Sequence, residues 1–177
     1  IIGILVTLIV GVSKYVFEEA ARKKTIVTQQ LLMMAIEQFR DITGKYPPDS
    51  NDLGLSPNDY RIKSDSLYGQ LLGEAAAFNK LATYFSWTSD QRSRFENKVK
   101  KEIVSIINQL PEDAADTEEK TFKDGFGNAM FYFRTEGLGN RPVVISAGPD
   151  GEPKMGDTII NDRSNTVNED NIRSDEN

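Results

Sequence analysis

The sequence predicts an α+β protein in which one long N-terminal helix packs on a small globular head. An apolar run passes into an amphipathic stretch that contains no proline before Pro47. Apolar residues then recur at steps of three and four in two further segments, which predicts extra helices. Short β-prone segments between glycine-bearing turns predict a small antiparallel sheet, followed by an acidic C-terminal loop. We divide the chain into the N-terminal helix (1–43), a loop with a helical insertion (44–120), and a β-hairpin with the acidic C-terminal segment (121–177). The last two parts would form one head.

The composition excludes several kinds of chemistry. The 177 residues include no His and no Cys, so the commonest general base, thiol nucleophiles and disulfides are all excluded. Any bound metal should be a hard cation held by oxygen atoms. The net charge of −6 argues against nucleic acid as a partner. Because no nucleophile elbow, phosphate-binding loop or dinucleotide motif occurs, we expect a protein that is not an enzyme.

The N-terminal segment is predicted to form one helix of roughly 65 Å, from Ile1 to Thr43. The run from Ile1 to Val12 is too short to span a bilayer, which takes about 20 residues. Because the chain does not begin with Met, we expect this run to be the end of a longer apolar segment. An alternative is an ordinary core helix with a sticky end. The amphipathic part carries a stripe at helical spacing: Thr25, Thr28, Leu32, Ala35, Ile36, Phe39 and Ile42.

Two more helices and a hairpin are predicted downstream. Gly44 and Pro47 should end the long helix. A helix of about twenty residues is expected from Tyr68 to Phe85, and Thr88 with Gln91 forms a capping box that opens the next. That next helix should end at Pro111, and its apolar stripe comprises Phe95, Val99, Ile103, Ile106 and Leu110.

The charges along this second helix are predicted to be its solvent-facing side rather than a nucleic-acid surface. Residues 112–120 should be an acidic linker. A turn over 124–128 should lead into a strand over 129–134, with a return strand over 141–146.

The first residues carry a family resemblance. The run Ile1-Ile2-Gly3-Ile4-Leu5 resembles the second half of the prepilin-type N-terminal segment of type IV pilins and type II secretion pseudopilins. That family's helix begins with a methylated Phe and carries a nearby glutamate, and we expect that this chain lacks roughly the first ten family residues. The family's proline after the apolar run is also absent, so the helix is either continuous or unwound near Gly11.

Two further segments are similar to the same family. Tyr46 and Pro47 match the Tyr-Pro of its Gly-x-Tyr-Pro signature. The C-terminal third resembles the Asp-Pro-Trp-Gly-Asn-Pro-Tyr-x-Tyr motif of major pseudopilins. The matching residues are Asp124, Gly127, Asn128 and Tyr132, and the departures are Gly125, Phe126, Ala129 and Met130.

The resemblance implies a filament subunit. The helix would sit in the inner membrane among lipid, and an inner-membrane assembly machinery would move it into a homopolymeric filament in the periplasm or outside the cell. The residues expected to pack in the filament are Ile1, Ile2, Gly3, Ile4, Leu5, Leu8, Ile9, Val10 and Gly11. The alternatives are a type IV pilus subunit and a membrane-anchored extracytoplasmic binding module that does not polymerise. Type IV pilins usually close the C-terminal region with a disulfide, which favours the pseudopilin here.

The resemblance also implies a calcium loop. The stretch from Ile145 to Gly151 is similar to the one that opens the calcium loop of major pseudopilins, and 168–172 is similar to the run that closes it. The expected Ca²⁺ ligands are Ala147 through its carbonyl, Asp150, Glu169, Asp170 and Asn171, with Asp157 and Asp162 as rivals. Such oxygen atoms suit Ca²⁺. The alternative is a solvated acidic tail, since residues 149–177 contain eight acidic and three basic residues.

Overall fold

The fold is built on one uninterrupted N-terminal helix. The computed structural model describes residues 2–49, 52–53, 67–135, 139, 141–149, 151 and 172–174, with side chains from Ser13 onward. Helix α1 spans Ile2–Thr43 and passes Gly11 without unwinding. Of the two alternatives that the missing proline left open, the helix is therefore the continuous one. It ends at Gly44, whose φ of 79° only glycine adopts readily. The Gly44 N–H donates to the Arg40 carbonyl at 2.6 Å, as expected for a helix cap.

The first helix of the insertion is interrupted. Residues 67–72 are helical, and α2 spans Ala75–Tyr84, so the prediction of a single helix was wrong. Gly73 lies between the two segments with φ of 77°, and the Glu74 N–H donates back to the Gly69 carbonyl at 2.9 Å. A left-handed glycine followed by such a bond is a common way to end a helix, because the bond pairs a backbone carbonyl that is left without a partner where the helix stops.

The second helix of the insertion changes its winding halfway. Helix α3 spans Ser89–Lys98, a π-helical segment spans Val99–Ile103, and α4 spans Val104–Ile107. The predicted capping box is confirmed, since Thr88 Oγ1 accepts from the Gln91 N–H and the Gln91 side chain accepts from the Thr88 N–H. The wider π turn takes up extra residues and rotates the buried face. Ile107 is therefore buried, whereas the predicted Ile106 and Leu110 are only half-buried.

Five short strands are found in the described part of the head. Strand β1 (Ala115–Asp116) pairs antiparallel with β2 (Thr121–Phe122), so the predicted acidic linker in fact contains a strand. The predicted hairpin is confirmed as β3 (Met130–Phe133) and β4 (Val143–Ser146). A third strand, β5 (Ile172–Arg173), pairs with the other edge of β4. The structure is therefore α+β, with a long helix, short helices and two small antiparallel sheets.

The core lies between α1, the insertion helices and one face of the three-stranded sheet. The predicted stripe of α1 is buried from Thr25 to Phe39, while Ile42 is only half-buried. Tyr132 and Val144 bring the sheet into this core, and Phe131 and Phe133 belong to a second apolar cluster on the other face. Burial of both faces explains why apolar residues follow one another along β3 and over the first three residues of β4 instead of alternating with polar ones.

Candidate functional site

The N-terminal half of α1 exposes apolar side chains where the helix has not yet reached the core. Every side chain from residue 13 to residue 20 is exposed, and Thr25 is the first that is fully buried. Tyr15 is 70%, Val16 56% and Phe17 75% exposed. Exposed apolar side chains that form a contiguous patch are typical of contact surfaces, and this stretch supplies three consecutive ones.

Local interactions support the helix in this exposed stretch. Lys14 pairs with Glu18 at 3.7 Å, and Lys23 pairs with Glu19 at 3.4 Å, both one helical turn apart. Such i,i+4 pairs stabilise a helix by a few tenths of a kcal/mol each. These ion pairs therefore stabilise the helix locally, in a stretch where no side chain from residue 13 to residue 20 is buried against the head.

The head makes its first close contact with α1 at Gly125. The Gly125 N–H donates to Thr25 Oγ1 at 2.9 Å, and the Thr25 hydroxyl donates to the Ala21 carbonyl at 2.9 Å. A Cβ atom at position 125 would overlap that same carbonyl. Only glycine lets the turn backbone approach the helix this closely.

Gln29 fixes the three-stranded sheet to α1. Its buried Nε2 donates to the Val144 carbonyl at 3.1 Å and to the Ile172 carbonyl at 2.6 Å. One side chain of α1 therefore holds two neighbouring strands. Gln29 is not among the residues predicted from the sequence. The available signal was a glutamine lying inside a stripe whose other members are buried.

Asp124 organises the turn that contacts α1. Its Oδ1 accepts from the N–H groups of Phe126 and Asn128, each at 2.9 Å, and its Oδ2 accepts from the Ser146 hydroxyl at 2.5 Å. Burial raises the pKa of the Asp124 carboxyl, while these hydrogen bonds act in the opposite direction. The turn is thereby joined to β4, and β4 is joined to α1 through Gln29. The sequence indicated the turn but not the burial of its carboxylate.

The residues expected to bind calcium are described only in part. Ala147 is buried directly after β4, and a turn follows in which the Gly151 N–H donates to the Gly148 carbonyl at 3.3 Å. The other four, Asp150, Glu169, Asp170 and Asn171, lie outside the described residues. Ile172 pairs with Ser146, so the chain leaves the sheet and re-enters it at the same end. Within the described part of the chain, no group of three or more acidic side chains could hold a metal ion.

The expected assembly residues also lie where only the backbone is described. Ile1 is outside the described residues, and the others belong to α1: Ile2, Gly3, Ile4, Leu5, Leu8, Ile9, Val10 and Gly11. Among the helices described, none combines the length and the apolar character needed to cross a membrane.

Comparison of the chain with protein-family models, with curated proteins and with solved structures found no match.

Proposed function

We propose that this chain is a structural subunit of a pilin-like filament, the pseudopilus of a type II secretion-like system. The observation that carries the proposal is the division of α1 into two parts. The part from Thr25 onward belongs to the core of the head, and the stretch from Ser13 to Ala20 is an exposed helix with large apolar side chains. An exposed apolar helix joined rigidly to a folded head is the form that a helix-packed filament requires.

The same helix would serve both before and after assembly. Before assembly its apolar run lies among lipid in the inner membrane, and during assembly it exchanges lipid for copies of itself. Lipid chains are as apolar as the side chains, so tight packing rather than the hydrophobic effect must favour the exchange. Gly3 and Gly11 lie on this run and would allow neighbouring helices to approach closely.

The attachment of α1 to the head supports this use of the helix. Hydrogen bonds from Gly125 to Thr25 and from Gln29 to β4 and β5 join helix and sheet at separate points. A head held in this way keeps a fixed orientation on its helix, so identical copies present identical surfaces to one another. Identical surfaces in a fixed orientation are the condition for a regular helical polymer.

Within the pilin-like class we favour a pseudopilin over a type IV pilus subunit. The chain has no cysteine and cannot close its C-terminal region with a disulfide. A Ca²⁺ ion held by Asp150, Asp170, Asn171 and Glu169, with the Ala147 carbonyl, would take over that stabilising role. The pairing of Ile172 with Ser146 supports the proposal, since it brings the two ends of the intervening segment together.

The experiment is assembly in a bacterial host that supplies a pilus machine and the complete gene. We expect sheared filaments by electron microscopy for the natural sequence and none for Phe17→Lys or Leu8→Lys. Tyr84→Lys is the matched control, because Tyr84 is an exposed aromatic residue of the head and should not affect assembly. Circular dichroism and a melting curve must show that all three variants keep a folded head.

A membrane-anchored module that never polymerises predicts a different result. The natural sequence would then yield no filament under any level of expression, although the protein accumulates in the membrane fraction. Loss of assembly in Tyr84→Lys as severe as in Phe17→Lys would also contradict the proposal, because the exposed segment of α1 would have no special role.

A further inference from the structure

The second insertion helix carries a group of unpaired positive charges. Arg94, Lys98, Lys100 and Lys101 are all exposed, and none forms an ion pair with any residue that the structure describes. We call these four residues the basic face. Three neighbouring charges are engaged elsewhere, since Arg92 pairs with Glu96 at 2.8 Å and Glu102 accepts from Gln38 at 2.6 Å. Asp90, one turn before Arg94, forms no ion pair with a described residue. Among the described residues, therefore, no acidic side chain neutralises the basic face.

The helix under the basic face is firmly held. Phe95, Val99 and Ile103 on its opposite side are buried in the main core. The four cations span roughly 10 Å along the axis, since Lys101 lies seven positions after Arg94. The protein has a net charge of −6, so these four cations form a local concentration of positive charge on an acidic protein. Such a concentration favours binding to an acidic partner surface.

A complementary acidic surface occurs on the same chain. Glu112, Asp113 and Glu118 are exposed around β1, and none of them forms an ion pair with a described residue. We call these three residues the acidic loop. Its backbone is ordered by a bond from the Ala114 N–H to the Pro111 carbonyl at 3.0 Å and by β1–β2 pairing. Both surfaces are thus formed before any partner arrives.

We propose that the basic face of one copy binds the acidic loop of a second copy. The inference rests on the proposed function and adds to it a contact between heads. Within one copy no ion pair between described residues joins the two surfaces, so complementary charge is left over on each. A contact between two different surfaces of identical chains is heterologous and extends into an open polymer when the rotation does not close a ring. Electrostatic complementarity at such a contact fixes the partner and the register.

Cross-linking between two populations of the chain tests this contact. The natural sequence has no cysteine, so one introduced thiol per chain is unambiguous. One population carries Asn97→Cys within the basic face and the other carries Thr117→Cys within the acidic loop. Both positions are exposed and uncharged, so every charge is kept. Asn79→Cys, at an exposed residue of α2, replaces Asn97→Cys in the matched control.

The expected result is a mixed dimer after treatment with a short bis-maleimide, in a yield roughly fivefold or more above the control pair. Raising the salt from about 0.05 to about 0.5 M should lower that yield, because the screening length falls to roughly a third. Equal yields for the Asn97→Cys and Asn79→Cys pairs would overturn the contact.

Charge reversal gives a second, independent readout. Lys98→Glu with Lys101→Glu on the Asn97→Cys chain should abolish the excess yield. Adding Glu112→Lys with Glu118→Lys on the Thr117→Cys chain should restore it. Lys80→Glu, at an exposed lysine of α2, should leave the yield unchanged. Failure of the double reversal to restore cross-linking would mean that the basic face has another partner.

The same approach distinguishes two other partners that the basic face could bind. If the basic face bound anionic lipid, Lys98→Glu with Lys101→Glu would lose binding to vesicles of anionic phospholipid while the cross-link stayed at the control level. If it bound the acidic segment of its own chain, a single chain with Asn97→Cys and Glu169→Cys would cross-link internally. Either result overturns the proposal.

Electron microscopy of the same samples separates this inference from the proposed function. Filaments without the mixed cross-link would overturn the head contact alone and leave the filament subunit standing. A specific cross-link in a protein that never polymerises would support the contact and contradict the filament.

Discussion

Gly125 lies directly against the Ala21 carbonyl, so that a Cβ atom at position 125 would occupy the space of that oxygen. The contact joins a turn of the sheet region to the helix about a hundred residues earlier. It is reinforced by the bond from the Gly125 N–H to Thr25 at 2.9 Å. This is the point at which the projecting part of α1 meets the head.

Gly125→Ala should therefore separate the turn from α1. Because the obstacle is helix backbone, which cannot rotate away as a side chain could, we expect a loss of about 2–3 kcal/mol in the free energy of unfolding. Urea denaturation of the purified protein measures it. Gly127→Ala is the control, since no atom lies within 4 Å of its Cβ position and only its φ of 89° opposes a side chain. That variant should lose about 1–2 kcal/mol. Equal losses would show that Gly125 is not in close contact.

Gln29→Leu should release β5 from the sheet. Leucine keeps a similar volume but leaves the Val144 and Ile172 carbonyls without this donor, at a cost of about 1–3 kcal/mol. Hydrogen exchange at the Ser174 amide, which donates to Val144 at 3.0 Å, should become faster. Gln109→Leu is the control, because the side chain of this exposed glutamine donates one turn back, to the Ser105 carbonyl at 3.1 Å. No change in exchange at Ser174 would contradict the role of Gln29.

Asp124→Asn should change how stability depends on pH. Burial raises the pKa of Asp124 above its ordinary value of 3.8 in the folded state, so folding favours the protonated form. Its contribution to stability is complete below that ordinary value and is lost as the pH rises through the raised pKa. The stability advantage of the natural protein over Asp124→Asn should accordingly shrink with rising pH, as measured by urea denaturation between about pH 3 and 7.

In the same measurement, the stability advantage of the natural protein over Asp116→Asn should instead grow with rising pH. The hydrogen bond from Lys123 lowers the pKa of Asp116 below 3.8. Its contribution is present above that value and is lost as the pH falls through the lowered pKa. An advantage over Asp124→Asn that grows with pH would mean that the hydrogen bonds to Asp124 outweigh its burial.

Calcium should raise the melting temperature of the head. A ligand that binds only the folded state stabilises it by about 2.7 kcal/mol at a hundred times its Kd. We expect a chelator to lower the melting midpoint, and Asp150→Asn or Asp170→Asn to remove the response. Glu118→Gln, on the exposed acidic loop, should keep it. An unchanged midpoint with and without chelator in the natural protein would rule out the calcium site.

Local signals in the sequence predicted the elements whose ends are set by their own residues. Gly44 ends α1, Thr88 with Gln91 opens α3, and β3 and β4 form the predicted hairpin. The two insertion helices differed from the prediction. Gly73 interrupts the first although its apolar spacing continues across the break, because the glycine adopts a left-handed conformation that spacing alone does not indicate. In the second, a π-helical segment shifts burial from Ile106 to Ile107, and a period of 3.6 residues cannot predict such a change of winding.

The sequence by itself determined the chemistry available to this protein and the division of its long helix. The absence of His and Cys is a matter of composition, and the change from an apolar to an amphipathic pattern is a matter of order along the chain. Only the tertiary structure decided which polar groups hold helix and sheet together. Gln29, Asp124 and Gly125 act through partners from about 20 to about 140 residues away, and spacing along a chain carries no record of such partners.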